Sequence, residues 1–111
     1  MTEHPNPEKF FQAAQAYFEA LTTRLEKAGL DVDPEELSLS FLLPGESTPY
    51  LLNVHKSRQE IWLSSPARGG YRFVWTPDHA ACWRSERHPQ SLDEFLREDL
   101  GDKGIVLEDL S

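Results

Sequence analysis

Carboxylates dominate the side chains here that could do chemistry, and their spacing limits what that chemistry could be. Glu8, Glu19 and Glu26 fall on one stripe of a predicted N-terminal helix, since successive residues turn by about 100°. A rise of about 1.5 Å per residue sets them roughly 16 and 10 Å apart, too far to close on one ion. A hard cation takes several oxygens at about 2.0–2.6 Å, so this stripe offers only weak, partly hydrated contacts. Asp31, Asp33, Glu35 and Glu36 are denser. Asp31 and Asp33 share a face if their segment is extended, and are expected to meet Glu26 across the turn that follows the helix. The metal-binding expectation therefore covers Glu19, Glu26, Asp31, Asp33, Glu35 and Glu36. The plainer reading is a solvated acidic edge that maintains solubility.

A second set of residues points to binding rather than to catalysis. The stretch Glu60 to Trp75 reads as a β-hairpin, with Pro66 and the Gly69-Gly70 pair as its turn. Strand side chains alternate, so burying Ile61 and Leu63 sends Trp62 outward. On the return strand, burying Phe73 and Trp75 leaves Arg72 and Val74 outside. The preceding run, Tyr50 to His55, buries Tyr50, Leu52 and Val54 and presents Asn53 and His55. Asn53, His55, Trp62 and Arg72 would then form one outer patch, with the aromatic and arginine types that dominate binding hot spots. A single exposed tryptophan can also be of no consequence.

Motifs for covalent or metal catalysis are missing. The chain has no G-x-S-x-G, Walker loop, H-E-x-x-H or paired C-x-x-C. His79 and Cys82 supply half of a closed zinc site, and His4 and His88 have no second ligand at helical or hairpin spacing. His55, on the predicted outer face, could sense pH or a metal. Lone Cys82 cannot form an intrachain disulfide, and its place beside Trp83 suits a small core residue better than a reactive thiol.

The elements that must position these residues are legible. Asn6 can cap the first helix, Pro7 suits its first position, and Gly29 ends it. Phe10, Phe11, Ala14, Phe18, Leu21, Leu25 and Ala28 recur at three-to-four spacing as its buried stripe. Asp31-Val32-Asp33 is a short first strand, and Leu37, Leu39, Phe41 and Leu43 alternate with Ser38, Ser40 and Leu42 in a second. Strands follow at 50–55, 60–65 and 71–76, with a last one around Cys82 to Ser85. Ser91-Leu92-Asp93-Glu94 fits a capping box that opens a second helix through Leu100, with Gly101 as its stop. Ile105, Val106, Leu107 and Leu110 are too apolar for a free tail and should pack between the helices. The order predicts an α+β fold, with two helices on one face of a largely antiparallel sheet. A length of 111 residues suits one domain spanning 1–111.

Charge divides along the chain. Residues 1–50 carry nine acids and three bases, 51–90 three and six, and 91–111 seven and two. The folded protein should have acidic helices and a mildly basic sheet face, a polarity that orients partners. Six dispersed bases in an acidic chain make a poor phosphate track, so no nucleic-acid partner is expected. No apolar run approaches the roughly 20 residues of a membrane span. The N-terminus reads as neither a signal peptide nor a transit sequence, which makes a cytoplasmic bacterial protein the expectation.

Tyr50-Leu51-Leu52-Asn53, then Ile61-Trp62-Leu63-Ser64-Ser65-Pro66, Gly69, Arg72, Phe73 and Trp75, resemble the frataxin family and its bacterial CyaY-type members. The similarity continues through Trp83 and Ser91-Leu92, and more weakly through the first helix. It implies a helix, strand meander, helix sandwich that serves iron-sulfur cluster assembly. A protein of this kind would bind iron weakly, as ferrous or ferric ion, dock a cysteine desulfurase and scaffold protein, and be monomeric without iron. Asn53, Trp62 and Arg72 match residue for residue, whereas His55 stands where the family more often has glutamine, and the connection between Trp75 and Trp83 is longer. The family's acidic ridge is thin here, because Gln12, Ala13, Ala16, Ala20, Thr23, Arg24 and Lys27 occupy outer-face positions where acids are expected. The resemblance implies a regulator or iron donor rather than an enzyme. Iron oxidation lacks a close ligand set. An acidic protein-binding module of the secretion-chaperone or immunity type is the alternative.

Overall fold

A computed structural model describes residues 7–76, 83–85 and 90–107. Helix α1 (Pro7–Lys27) is followed by β1 (Asp31–Pro34), β2 (Ser38–Leu42), β3 (Tyr50–His55), β4 (Glu60–Ser65), β5 (Gly69–Trp75) and β6 (Trp83–Ser85), and by helix α2 (Leu92–Gly101). The strands form one sheet in sequence order, each antiparallel to the next. The α+β architecture is the expected one, with both helices on one face and the other uncovered by any helix among the described residues. His4, Asn6, the Pro77–Ala81 loop with His79, Cys82, His88 and Leu110 lie outside the described residues.

Alternation decides what enters the core. Leu39, Leu52 and Leu63 pair in one row across β2, β3 and β4 and are almost wholly buried, as are Ile61 and Phe73 in the next row. The rings of Phe41 and Tyr50, cross-strand partners, stack at 4.7 Å. Phe10, Ala14, Phe18, Leu21 and Leu25 from α1, and Leu92, Phe95, Leu96 and Leu100 from α2, close the core from above. At one corner Phe10 meets the rings of Trp75 and Trp83, each at 5.7 Å in an edge geometry. Such pairs add roughly 0.5–1.5 kcal/mol beyond the area they bury.

Gly29, the Ser91 capping box and Gly69 act as expected, whereas Gly101, expected to stop α2, does not. Gly29 takes φ +87°, and Leu30 N–H returns to the Leu25 carbonyl at 3.1 Å, which ends α1. The Ser91–Glu94 capping box is formed: Glu94 N–H donates to Ser91 Oγ at 3.1 Å, and Ser91 N–H to Glu94 Oε1 at 2.8 Å. Gly69, at φ +85°, closes the β4–β5 hairpin, while Gly70 pairs with Ser64 inside the ladder. Gly101 remains helical. Asp102 caps α2, and Gly104, at φ +80°, makes the left-handed turn.

Three expectations about side chains need correction. Arg24, assigned to the outer face of the helix, is buried, with its guanidinium gripping Asp93 of α2 at 2.6 and 3.0 Å. Asp93 also accepts from Tyr17 Oη at 3.0 Å. Tyr17, absent from the predicted stripe, is therefore a core residue whose hydroxyl is satisfied by α2. A position that periodicity leaves at the margin of a helix turns inward once a second helix supplies its counter-charge. Val106 is 81% exposed, so among the described residues of the apolar tail only Ile105 and Leu107 join the core.

A second polar group is sealed under α2. Asp99 is 3% exposed and accepts from Tyr50 Oη and from Ser65 Oγ, the latter at 3.2 Å. Ser65 Oγ in turn accepts from Ala67 and Arg68 N–H, at 3.3 and 3.2 Å, so the β4–β5 turn is tied to α2 through one carboxylate.

Two predictions follow from these links. Arg24→Met leaves Asp93 and the Tyr17 hydroxyl without their cation, and should cost about 2–4 kcal/mol in urea unfolding. The second concerns alkali. Burial first, then the charge and hydrogen bond of Asp93, hold the Tyr17 phenol well above its usual value. Burial and Asp99 do the same to Tyr50. Both groups are favoured protonated in the fold, so their contribution is complete below the unfolded phenol value of about 10 and is lost as pH rises beyond it. Unfolding free energy should fall above about pH 10, by up to about 1.4 kcal/mol per pH unit for each phenol. The fall should be shallower in Tyr17→Phe.

Candidate docking face

The open face of the sheet carries the predicted patch. Asn53 pairs with Trp62, and Trp62 with Arg72, so the three lie side by side across β3, β4 and β5. Opposite side chains in such a row approach to about 4.5–5.5 Å at Cβ. Trp62 is 36% exposed while its neighbours Ile61 and Leu63 are sealed in the core, which settles the orientation. Ser38 extends the row onto β2. Leu51 and Leu42, at 39% and 37% exposure, continue an apolar strip on the same face toward β1.

His55 belongs to the patch by contact. Its ring stacks on the Trp62 indole at 4.4 Å with 26° between the planes, and Ser57 Oγ lies 3.4 Å from its Nδ1. A groove of about 370 Å³ adjoins the indole, walled by Asn53, Ser64, Gly70, Tyr71 and Arg72. The surface therefore offers an aromatic plate, a guanidinium, an amide and a hydroxyl within one small area, a set suited to gripping a protein surface.

Two contributors were missed in sequence. Glu60 accepts from Trp62 Nε1 at 2.7 Å and is approached by Arg58 Nε at 3.4 Å. The signal was present: residues two apart on a strand share a face, so Glu60 had to lie beside Trp62.

The predicted metal residues divide into separate groups. Glu19 from α1 and Glu35 and Glu36 from the β1–β2 turn line a cleft of about 390 Å³, together with Gln15, Thr22, Thr23 and Pro34. Asp31 and Asp33 are exposed and pair with Leu42 and Ser40, which places them on the open sheet face. Glu26 is exposed near the end of α1. The expected meeting of Asp31, Asp33 and Glu26 does not form. Among the described residues no three His, Cys, Asp or Glu side chains come close enough to hold an ion together. The reason is geometric: α1 covers the face toward which Val32 points, and alternation sends both aspartates the other way. Such carboxylates can give an ion one or two oxygens, with water supplying the rest.

No helix among the described residues is long and apolar enough to cross a membrane. Comparison with known proteins agrees with the fold. The chain is 35% identical over 86 residues to the mitochondrial frataxin homolog of Drosophila melanogaster, a match covering 76% of this chain and 45% of that protein. It is 36% identical over 72 residues to mitochondrial frataxin of Arabidopsis thaliana, covering 65% of this chain and 37% of the relative. The matched region is thus less than half the length of either relative. The structure superposes on a frataxin from Psychromonas ingrahamii, described within the CyaY protein family, with a TM-score of 0.82 at 16% identity, covering 96% of this chain and all of the other. Yeast frataxin superposes with a TM-score of 0.72 at 23% identity, covering 92% and 93%. The profile of the frataxin-like domain matches residues 4–104. With that match spanning nearly the whole chain, the protein belongs to the frataxin family.

Proposed function

We propose that this protein is a non-enzymatic regulator or iron donor in iron-sulfur cluster assembly, and that it docks a cysteine desulfurase–scaffold complex through the open sheet face. Asn53, His55, Trp62 and Arg72 make the contact, with Trp62 at its centre. The observation that carries this reading is the row Asn53–Trp62–Arg72, contiguous in register and exposed on a face that no helix among the described residues covers. Membership of the frataxin family supports the same process, and the acidic protein-binding module considered as the alternative is not favoured by it. The protein is a monomer without iron and works in the bacterial cytoplasm.

Iron is cargo in this reading. Glu19, Glu35 and Glu36 at the cleft, with Glu26, Asp31 and Asp33 apart from it, would contribute one or two oxygens each way to a largely hydrated ferrous or ferric ion. Weak holding suits delivery, because a closed cage would not release its ion. The same carboxylates give a basic partner something to meet.

Trp62→Ala is expected to leave the fold intact and to weaken binding to the scaffold complex by about 2 kcal/mol or more, the scale of a hot spot. Calorimetric titration checks this, and unchanged affinity removes Trp62 from the interface. Anaerobic ferrous titration followed by NMR should broaden or shift resonances at Glu19, Glu35 and Glu36, and separately near Asp31 and Asp33. A spectrum that iron does not alter would eliminate the donor role.

A further inference from the structure

Glu60 occupies an unusual position. Its pairing with His55 and Val74 places it on the open sheet face, yet it is only 3% exposed. No helix among the described residues covers that face, and the side chains recorded at its carboxylate are those of its neighbours. Trp62 donates its indole N–H to Oε1 at 2.7 Å, and Arg58 Nε lies 3.4 Å from the same oxygen. His55 stacks on the indole from the adjoining strand. A carboxylate withdrawn from water is costly unless its hydrogen bonds are made, and a charged acceptor binds its donor more strongly than a neutral one. Trp62 and Glu60 therefore restrain each other.

We propose that Glu60 is a positioning residue for docking: its buried carboxylate holds the Trp62 indole in one orientation before any partner arrives. The proposal rests on the docking role given to Trp62 above. An exposed tryptophan free to change rotamer must be ordered on binding, and removing that cost strengthens binding by roughly two- to tenfold. A chemical consequence concerns the partner. The indole has a single donor and no acceptor, and Glu60 already takes that donor. The partner must then meet Trp62 through its ring surface, with an apolar, aromatic or cationic group, rather than with a hydrogen-bond acceptor at the indole nitrogen. Polar recognition falls to Arg72, Asn53 and Ser64 around the adjoining groove, and His55, stacked on the indole, is not one of its walls.

The test begins with the unmodified full-length protein. The Trp62 indole N–H, assigned in a ¹H–¹⁵N spectrum by its loss in Trp62→Phe, should exchange with water at least tenfold more slowly than a free indole. Exchange at the free rate overturns the proposal whatever any variant does. Glu60→Leu should shift this resonance and release its protection, and Glu60→Gln, which keeps an acceptor, should restore both. Affinity for the scaffold complex should fall two- to tenfold in Glu60→Leu and recover in Glu60→Gln. If Trp62→Ala weakens binding while a folded Glu60→Leu binds like the unmodified chain, Glu60 does not position the anchor. If Trp62→Ala has no effect, the docking role itself fails, and the indole measurement still tells whether Glu60 restrains the ring.

Discussion

The period-two alternation of β3, β4 and β5, locked in register by short turns, is the constraint on which everything else in this structure depends. A slip of one residue would bury Trp62 and Arg72 and expose Ile61, Leu63 and Phe73. Three devices forbid it. The Gly69 turn sets the pairing of Ser65 with Gly69. Ser65 Oγ holds that turn by accepting two backbone N–H groups. The buried row Leu39–Leu52–Leu63 and the row Ile61–Phe73, flanked by half-buried Val54, then lose apolar contact in any other alignment. The exposed row Asn53–Trp62–Arg72 is the necessary reverse side of that core.

The helices contribute by staying on one side. Arg24 and Asp93 bind α1 to α2 with two hydrogen bonds in a nearly closed setting, and Tyr17 completes the group. Asp99 fastens α2 to β3 and β4 through Tyr50 and Ser65. Both links are ionic or polar and largely out of water, so each fixes orientation more than it adds net stability. Their effect on function is indirect. They keep the roof over the inner face and leave the outer face clear.

Much of this was legible in the residues. Alternation around Trp62, the turn glycines Gly29 and Gly69 and a capping box at Ser91 are local signals, and each found its place in the fold, while Gly101 stayed helical because the left-handed turn falls at Gly104. Arg24 was misassigned because helical periodicity says nothing about a counter-charge 69 residues away on another helix. Glu60 was passed over because carboxylates are so rarely buried on an open face, although its distance of two residues from Trp62 in sequence was the clue. The metal expectation for Glu26, Asp31 and Asp33 relied on proximity in sequence, whereas the sheet assigns neighbours by face. Glu19, Glu35 and Glu36 share a cleft because the β1–β2 turn folds back against α1, a tertiary contact that no local pattern encodes.

One side of the molecule carries the cleft of Glu19, Glu35 and Glu36, and the other a sheet face with an aromatic centre and arginines at β5 and β6. The two could serve two contacts of one assembly, with the sheet face giving specificity and the carboxylates giving attraction. The most direct test is a footprint: amide and side-chain resonances of the ¹⁵N-labelled protein, followed as the unlabelled desulfurase–scaffold complex is added. Changes centred on Asn53, His55, Trp62 and Arg72 are the expected result. Changes confined to α1 and the β1–β2 turn, with the Trp62 indole unmoved, would contradict it.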